Sequence, residues 1–430
     1  MKILYLVHRF LPDHFRGSEV YTFELASQMQ AFGHQVLVAT LRESENPEPE
    51  ILTEEYQGLR VARILKKLNP ADFQDYFFDA RMDELFLGLC RDFQPDLIHS
   101  IYFLGGLSLG MLEKIPGKIP LVLSITDYSP LCPRGQLLDG NLNPCPGPRK
   151  GLRCLGCLFE KRWLYSQPAL DRFAVNYFPL WLARIKTSWE LKLIQKRWQA
   201  VERIFQQARK VIFAHPHTLK IYLKNRLKPA QWRILDFGVN FAPYLSHKKT
   251  ASERLRIGFI GQLLPHKGLH LLVEALGEIL QQEKFELLIY GEMKYPQEKK
   301  YFESLALERI KNWRFMGSFD YGKMNQVLEG IDLLVVPSLW AENCPLVPKY
   351  ALLTGTGLLI SAQPGILPKA KGEGIWIFKD QKELKEILEQ ILKNQFWKAP
   401  TPAHPELVMD MEIHARILER IYQGEICKRE

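Results

Sequence analysis

An acid at Glu342, a base at Lys267 and two glycine-bearing loops are the residues of this 430-residue chain whose types and spacing suit chemistry on sugars and phosphates. Glu342 stands in IDLLVVPSLWAENCPLVPKYALLTGTGLLIS, residues 331–361, which reads as a buried strand, a turn and a helix packed on a sheet. A carboxylate aimed from a rigid strand end binds hydroxyls. The turn residue Asn343 and the helix-opening amides of Leu346 and Val347 suit an anion beside it. In GFIGQLLPHKGLHLLVEAL a strand ends at Gly261, and Gln262, His266, Lys267 and Gly268 come before the next helix. Lys267 can offset the charge that builds on a departing phosphate. The N-terminal loop FLPDHFRGSEVYTFELA repeats the logic. Gly17, after Arg16, allows close backbone approach, and Ser18 is placed to cap the helix and leave amides for an anion. Taken alone, such a glycine is equally the mark of a simple helix start.

Four of the seven cysteines cluster as Cys132, Cys145, Cys154 and Cys157, with twelve, eight and two residues between them, in a segment punctuated by Pro and Gly. The closing Cys-x2-Cys pair has the bite that tetrahedral zinc needs, so a structural zinc ion is expected. An iron–sulfur centre, and free thiols or a redox pair, are the alternatives. Cys90, Cys344 and Cys427 stand alone, as packing cysteines do.

The formal charge of +9 is concentrated. Between Arg184 and Arg233 thirteen Lys and Arg face two acids, for +11, and the remainder carries −2. With Trp163, Phe173, Tyr177, Phe178, Trp181, Trp189 and Trp198 in or before it, this region suits an anionic membrane surface, and equally a helix whose aromatics cover a sheet. Nucleic acid is not expected as a partner, because the cysteines lie inside an α/β region rather than beside a recognition helix. No apolar run approaches the roughly 20 residues that span a bilayer, and MKILYLVHRF reads as a buried strand rather than a leader. The expectation is a cytoplasmic protein, peripheral at the inner face of the membrane if it meets one.

Strands and helices alternate in both halves, the pattern of parallel sheets covered on both faces, and the length suits two domains. Residues 1–245 form the first, with strands over Ile3–His8, Gln35–Thr40, Leu59–Ile64, Leu97–Ser100, Pro120–Ile125, Val211–Ala214 and Ile234–Val239. They include a cysteine-rich insertion over about 128–160 and a basic helical region over about 161–205. Residues 246–254, polar and aperiodic, read as a linker. In 255–400 the strands are Leu255–Gly261, Phe285–Tyr290, Ile331–Pro337 and Leu358–Ser361, with helices over His270–Gln281 and Leu346–Leu353. A last helix from about Glu406, within 401–430, is expected to pack back on the first domain.

These motifs carry a resemblance. GSEVYTFELASQMQAFGH, FIGQLLPHKG, ARKVIFAHPHTLKIYL followed by RILDFGVN, and PSLWAENCPLV with ALLTGTG together resemble the retaining glycosyltransferases of family 4. The resemblance implies the GT-B fold, two Rossmann-like domains facing across a cleft. It also implies transfer of a sugar from a nucleotide diphosphate sugar to an acceptor hydroxyl with retained anomeric configuration and no catalytic metal. Glu342, first acid of the family's Glu-x7-Glu motif, would contact the donor sugar, Lys267 the diphosphate, and the Gly17 loop would lie over the phosphates near the acceptor. The acceptor would be a glycan or a lipid-linked sugar in surface polysaccharide or glycolipid assembly. Four positions depart from the family pattern. Tyr350 replaces the second Glu, which holds the nucleotide ribose; Gln262 stands for an Arg; Thr126 stands for a His near the sugar; and Arg16 replaces one Gly of a pair, on the acceptor side with Asp127. The departures leave open a weak or inactive homologue that binds a glycan or a partner.

Overall fold

The computed structural model describes all residues except 47, 70–71, 140–141, 149–152, 155–156, 158–179, 251, 367–371 and 428–430, and the side chains of 73, 180–190 and 427. The chain divides into two compact units, Met1–Leu235 with Ala415–Glu430, and Asp236–His414.

In the first unit eight strands form one sheet in the order β3-β4-β2-β1-β5-β6-β7-β8. They are β1 (Lys2–Val7), β2 (Gln35–Glu43), β3 (Glu50–Tyr56), β4 (Leu59–Lys66), β5 (Leu97–Ser100), β6 (Leu121–Ile125), β7 (Lys210–Phe213) and β8 (Trp232–Ile234). All neighbours are parallel except β3 and β4. The central strands KILYLV, LIHS and LVLSI are buried along almost their whole length, as strands covered on both faces must be. The edge strand β3, EILTEEY, is charged and half exposed, and the expected strands do not include it. The expected strand Ile234–Val239 is also different: β8 ends at Ile234, and Val239 instead bridges Asp410 within the second unit.

The second unit holds six parallel strands in the order β11-β10-β9-β12-β13-β14. These are β9 (Leu255–Ile260), β10 (Phe285–Tyr290), β11 (Trp313–Gly317), β12 (Leu333–Val336), β13 (Gly357–Ser361) and β14 (Ile375–Phe378). One apolar core, including Ile257, Leu272, Leu287, Val335, Leu359 and Leu388, lies under helices Leu269–Gly277 and Gln381–Lys393. Truncating such a core leucine costs about 2–5 kcal/mol. Residues 246–254 are less a free linker than a strap on this unit. His247 Nδ1 pairs with Asn325 Oδ1 at 2.6 Å, Thr250 Oγ1 donates to the Glu329 carbonyl, and Lys249 lies 3.5 Å from Asp332.

The last helix starts at Met411, after a short turn at Pro405–Leu407 that Pro405 opens. Its part in the first unit is fastened by polar bonds inside an apolar core. Tyr422 Oη meets His99 Nδ1 at 2.5 Å and Tyr5 Oη at 3.3 Å, and His99 Nε2 meets Ser124 Oγ at 2.9 Å. His99 is therefore a fully buried structural residue joining β5, β6 and the helix. Among the described residues no helix is long and apolar enough to cross a membrane.

Candidate active site

In each sheet the order of the parallel strands turns about one central pair, and the loops that leave the carboxyl ends of that pair border the crevice in which such sheets bind ligands. In the second unit the pair is β9 and β12, which are hydrogen-bonded neighbours although β10, β11 and their helices intervene in the chain. Their loops carry Lys267 and Glu342. The Lys267 Nζ donates to Glu342 Oε1 at 2.7 Å, and Ser338 Oγ donates to the same oxygen at 2.6 Å. Glu342 is buried while the Lys267 side chain is 21% exposed, so the pair sits at a surface opening with its acid on the inner side. Lys267 Nζ also lies 5.2 Å from the Trp340 ring centroid, and buried His266 meets that ring edge-on.

Two glycines hold these loops together. Gly268 has φ +74°, and a Cβ there would fall 1.9 Å from the Pro337 carbonyl oxygen. Gly365 has φ +83°, and its Cβ would fall 1.8 Å from the Glu342 carbonyl oxygen. No other residue fits either place. Leu339 N donates to the His266 carbonyl and Ser361 Oγ to that of Ser338, which clamps the Glu342 turn between its neighbours. Gly261 N is used by the Tyr290 carbonyl, and Gln262 and Asn343 flank the crevice, the latter buried. Helix Leu346–Thr354 follows, capped by no side chain and without an acid in its first turn. Its first amides, on Leu346 and Val347, have no partner within the helix, and Pro348 supplies none.

Tyr350 is built into a different environment. It is buried, stacks on Tyr244 with centroids 5.2 Å apart, and its hydroxyl donates to Tyr321 Oη at 3.4 Å. The adjacent Lys349, also buried, donates to Asp236 Oδ1 at 2.8 Å and to the Phe237 carbonyl at 2.6 Å. Cys344, with φ 63°, donates its thiol to the same Asp236 oxygen. Burial pushes that thiol up to about 12, so it is a neutral donor at physiological pH.

In the first unit the reversal falls between β1 and β5. Ser18 does not cap its helix. Arg16 occupies the cap position without a side-chain bond, and Ser18 Oγ, inside the first turn, donates to Glu19 Oε2 at 2.8 Å. Glu19 is the residue the sequence reading passed over. It is fully buried, its Oε1 has no hydrogen-bond partner, and His8 Nε2 lies 3.8 Å away. Burial raises the Glu19 carboxyl, and burial, followed by the charges of Arg9, Arg16 and His14, lowers the His8 imidazole well below its usual range. His8 is thus neutral at pH 7, and its ring meets that of Tyr102 at a tilt of 36°, with centroids 4.0 Å apart. The available signal was an acid in the first turn of a helix that leaves a Gly-Ser loop.

Asp127, just beyond β6, accepts from Ser129 N at 2.8 Å and its carbonyl accepts from Tyr222 Oη at 2.8 Å. Burial raises its carboxyl to about 6, against the opposing hydrogen bonds of Ser129 and Tyr102 and the charge of Arg197. Thr126 Oγ1 donates to the Ile101 carbonyl. Cys132, Cys145, Cys154 and Cys157 border one small cavity, yet among the described residues no three His, Cys, Asp or Glu are gathered closely enough to hold a metal ion.

Of the basic region, Trp163, Phe173, Tyr177 and Phe178 lie outside the described residues, as do the side chains of Trp181 and Trp189. The described part of helix Leu180–Gln207 turns Leu193, Ile194, Trp198, Ile204 and Phe205 into the core. Trp198 is therefore buried rather than facing outward. Arg197 is buried with it and donates to the carbonyls of Ser129 and Pro130.

Two open parallel sheets, each with its polar loops at a strand-order reversal, are the architecture of the GT-B glycosyltransferases. The chain belongs to the glycosyltransferases: residues 16–235 match the Glycosyl transferase 4-like domain family, and residues 245–406 match Glycosyl transferases group 1. Among curated relatives, a glycogen synthase of Anaeromyxobacter sp. (strain Fw109-5) is 34% identical over 110 residues, 26% of this chain and 22% of that one. A D-inositol 3-phosphate glycosyltransferase of Corynebacterium efficiens is 29% identical over 163 residues, 34% of this chain and 38% of that one. The chain thus spans well under half the length of these relatives. Solved structures with the same fold include sucrose-phosphate synthase from Thermosynechococcus elongatus, with TM-score 0.68 at 16% identity and 99% of both chains covered. Anabaena HepE in complex with UDP and glucose follows, with TM-score 0.65 at 14% identity, covering 99% of this chain and 100% of that one.

Proposed function

We propose that the protein is a retaining glycosyltransferase that moves a sugar from a nucleotide diphosphate sugar to an acceptor hydroxyl. The observation that carries this reading is the Lys267–Glu342 pair at the strand-order reversal of the second unit. Transfer develops negative charge on the departing diphosphate and positive charge on the sugar. Lys267 and the first amides of helix Leu346–Thr354 answer the first, and Glu342, held by Ser338, orients the second. In the resting pair each neutralises the other, and a donor entering between them takes over both partners. His266 and Gly268 shape the Lys267 loop, and Gly261, Gln262 and Asn343 border it. No metal is assigned to the reaction.

The acceptor is assigned to the first unit, with Arg16 and Asp127, and is a glycan or a lipid-linked sugar of a surface polysaccharide or glycolipid. A lipid-linked acceptor would bring the protein to the inner face of a membrane. Gly17 supports a ligand role for its loop. Its φ is not positive, and a Cβ on it would meet nothing within 4 Å, so neither backbone nor packing demands glycine there. Gly17→Ala is expected to leave the melting temperature unchanged or to raise stability by about 0.5–1 kcal/mol, while transfer falls. A lower melting temperature with full activity would make this glycine a folding residue.

A second reading, a weak homologue that binds a glycan or partner, is favoured by Tyr350, a buried phenol stacked on Tyr244 that stands where the family's second carboxylate would be. Donor binding decides between the two. UDP-, GDP- and ADP-sugars, UDP-glucose first, are added during thermal unfolding. At a hundredfold excess over Kd a ligand of the folded state contributes about 2.7 kcal/mol, a rise of a few degrees. No rise with any of them, and no slow hydrolysis, would favour the binding protein.

A further inference from the structure

The sugar-transfer reading leaves the four-cysteine segment unused, and the structure gathers it around one point. Leu138 pairs antiparallel with Pro144, and Cys145 N donates to the Leu137 carbonyl at 2.7 Å, which folds Cys145 back over the turn that carries Cys132. Arg153 N donates to the Pro148 carbonyl and returns Cys154 and Cys157 to the same place. All four cysteines then line a single cavity of about 20 Å³, with Pro133, Arg134, Leu138 and Arg153. That is room for one small ion. None of the four is in a disulfide.

The charge around the cavity is a second, independent observation. Arg134 and Arg153 line it, and Arg197 holds the adjoining turn through the Ser129 and Pro130 carbonyls. The buried Nε atoms of Arg134 and Arg197 have no hydrogen-bond partner. Asp127 lies within the field of Arg197, but four neutral thiols would bring no negative charge to Arg134 and Arg153 at the cavity wall. One zinc ion with four thiolates carries two net negative charges, and thiolate sulfur accepts N–H bonds.

We propose that Cys132, Cys145, Cys154 and Cys157 bind one zinc ion as thiolates, and that this ion fixes the segment holding Asp127. Binding exchanges four thiol protons for the metal and needs no oxidant. All four cysteines line the cavity but are not gathered into a closed ligand set, so side-chain rotation about the staggered wells has to complete the site. The link to the rest of the unit is direct. Tyr128 N donates to the Gly135 carbonyl, Cys132 N to that of Tyr128, and Ser129 N to the Asp127 carboxylate. A clamp at the cysteines therefore sets the loop that leaves β6.

Metal analysis of the full chain, purified without chelator, tests this independently of any transferase assay. The expected result is about one zinc per chain, released by a mercurial in step with four thiols. Replacement by cobalt(II) should give the intense visible bands of a tetrahedral thiolate site. The double variant Cys154→Ser with Cys157→Ser should lose the metal and melt earlier. Should that variant not fold, zinc content and the cobalt spectrum of the unaltered chain still decide. Metal-free protein whose four thiols titrate in the folded state overturns the proposal, as does iron with acid-labile sulfide, or a disulfide between these cysteines in the intact mass.

Discussion

Glu342→Gln is expected to lower turnover by about 10²–10³-fold, the size of effect seen when one electrostatic partner of a transition state is removed. The fold should hardly notice. Gln keeps the length of the side chain, its carbonyl oxygen still accepts from Ser338 Oγ and Lys267 Nζ, and Lys267, at 21% side-chain exposure, can turn to water. The stability change is then about 1 kcal/mol, that of one altered charge-assisted hydrogen bond. Steady-state kinetics with a saturating donor measures the first quantity and thermal unfolding the second. On the proposed role, in which Glu342 acts most strongly as charge develops, kcat should fall more than donor affinity. Turnover equal to that of the unaltered protein removes Glu342 from the mechanism. Collapse of the fold would instead assign it to the clamp that Ser338, Ser361 and Gly365 build.

Asp127→Asn is expected to make the protein more stable at pH 7.5 while making it a poorer transferase. Burial first of all lifts this carboxyl from 3.8 to about 6 in the folded chain. The folded state thus holds the proton more tightly than the unfolded one, so the ionised side chain costs stability. The sign follows: the penalty is absent below about pH 4, grows between pH 4 and 6, and is complete above pH 6. A gap of about two units corresponds to roughly 3 kcal/mol at most. Asn removes the charge and still accepts from Ser129 N. Melting curves of the two proteins should therefore separate above pH 6 in favour of the variant, and converge near pH 4. If Asp127 meets the acceptor, acceptor kcat/KM falls in the variant while the donor-induced rise in melting temperature is unchanged. A variant less stable at pH 7.5 would show that the carboxylate is held by its hydrogen bonds rather than penalised by burial. A gain of stability with loss of activity is the usual mark of a residue retained for function.

The strands that the sequence revealed and those it hid differ in their place in the sheet. Lys2–Val7, Leu97–Ser100, Leu121–Ile125, Leu255–Ile260, Phe285–Tyr290, Leu333–Val336 and Gly357–Ser361 are interior strands, and burial on both faces forces an apolar run that can be read directly. The hidden β3, β11 and β14, and the misplaced β8, are all edges. An edge strand has one neighbour and half its surface in water, so EILTEEY and WRFMG carry charge and little periodicity. The segment between the two sheets shows how polarity alone is read. Residues 246–254 look like a linker because they are polar, but their polarity is spent on Asn325, Glu329 and Asp332.

For the candidate site, the sequence by itself determined which side chains could act: the base and the acid after two strands, the glycines beside them, and four cysteines with the spacing of ligands. Local chemistry decides those choices, because a loop that follows a buried strand and opens a helix has few residue types that fit. Only the tertiary structure decided which of them meet. Pairing of β9 with β12 brings Lys267 to 2.7 Å from Glu342 across 75 residues, and stacking on Tyr244 withdraws Tyr350 into the core. The turn of the first helix buries Glu19 beside His8, and its place in that first turn marks it as an acid at a helix start but not as a buried one. Such contacts depend on strand order and on what fills the space behind a loop, and neither is written in the spacing of residues along the chain.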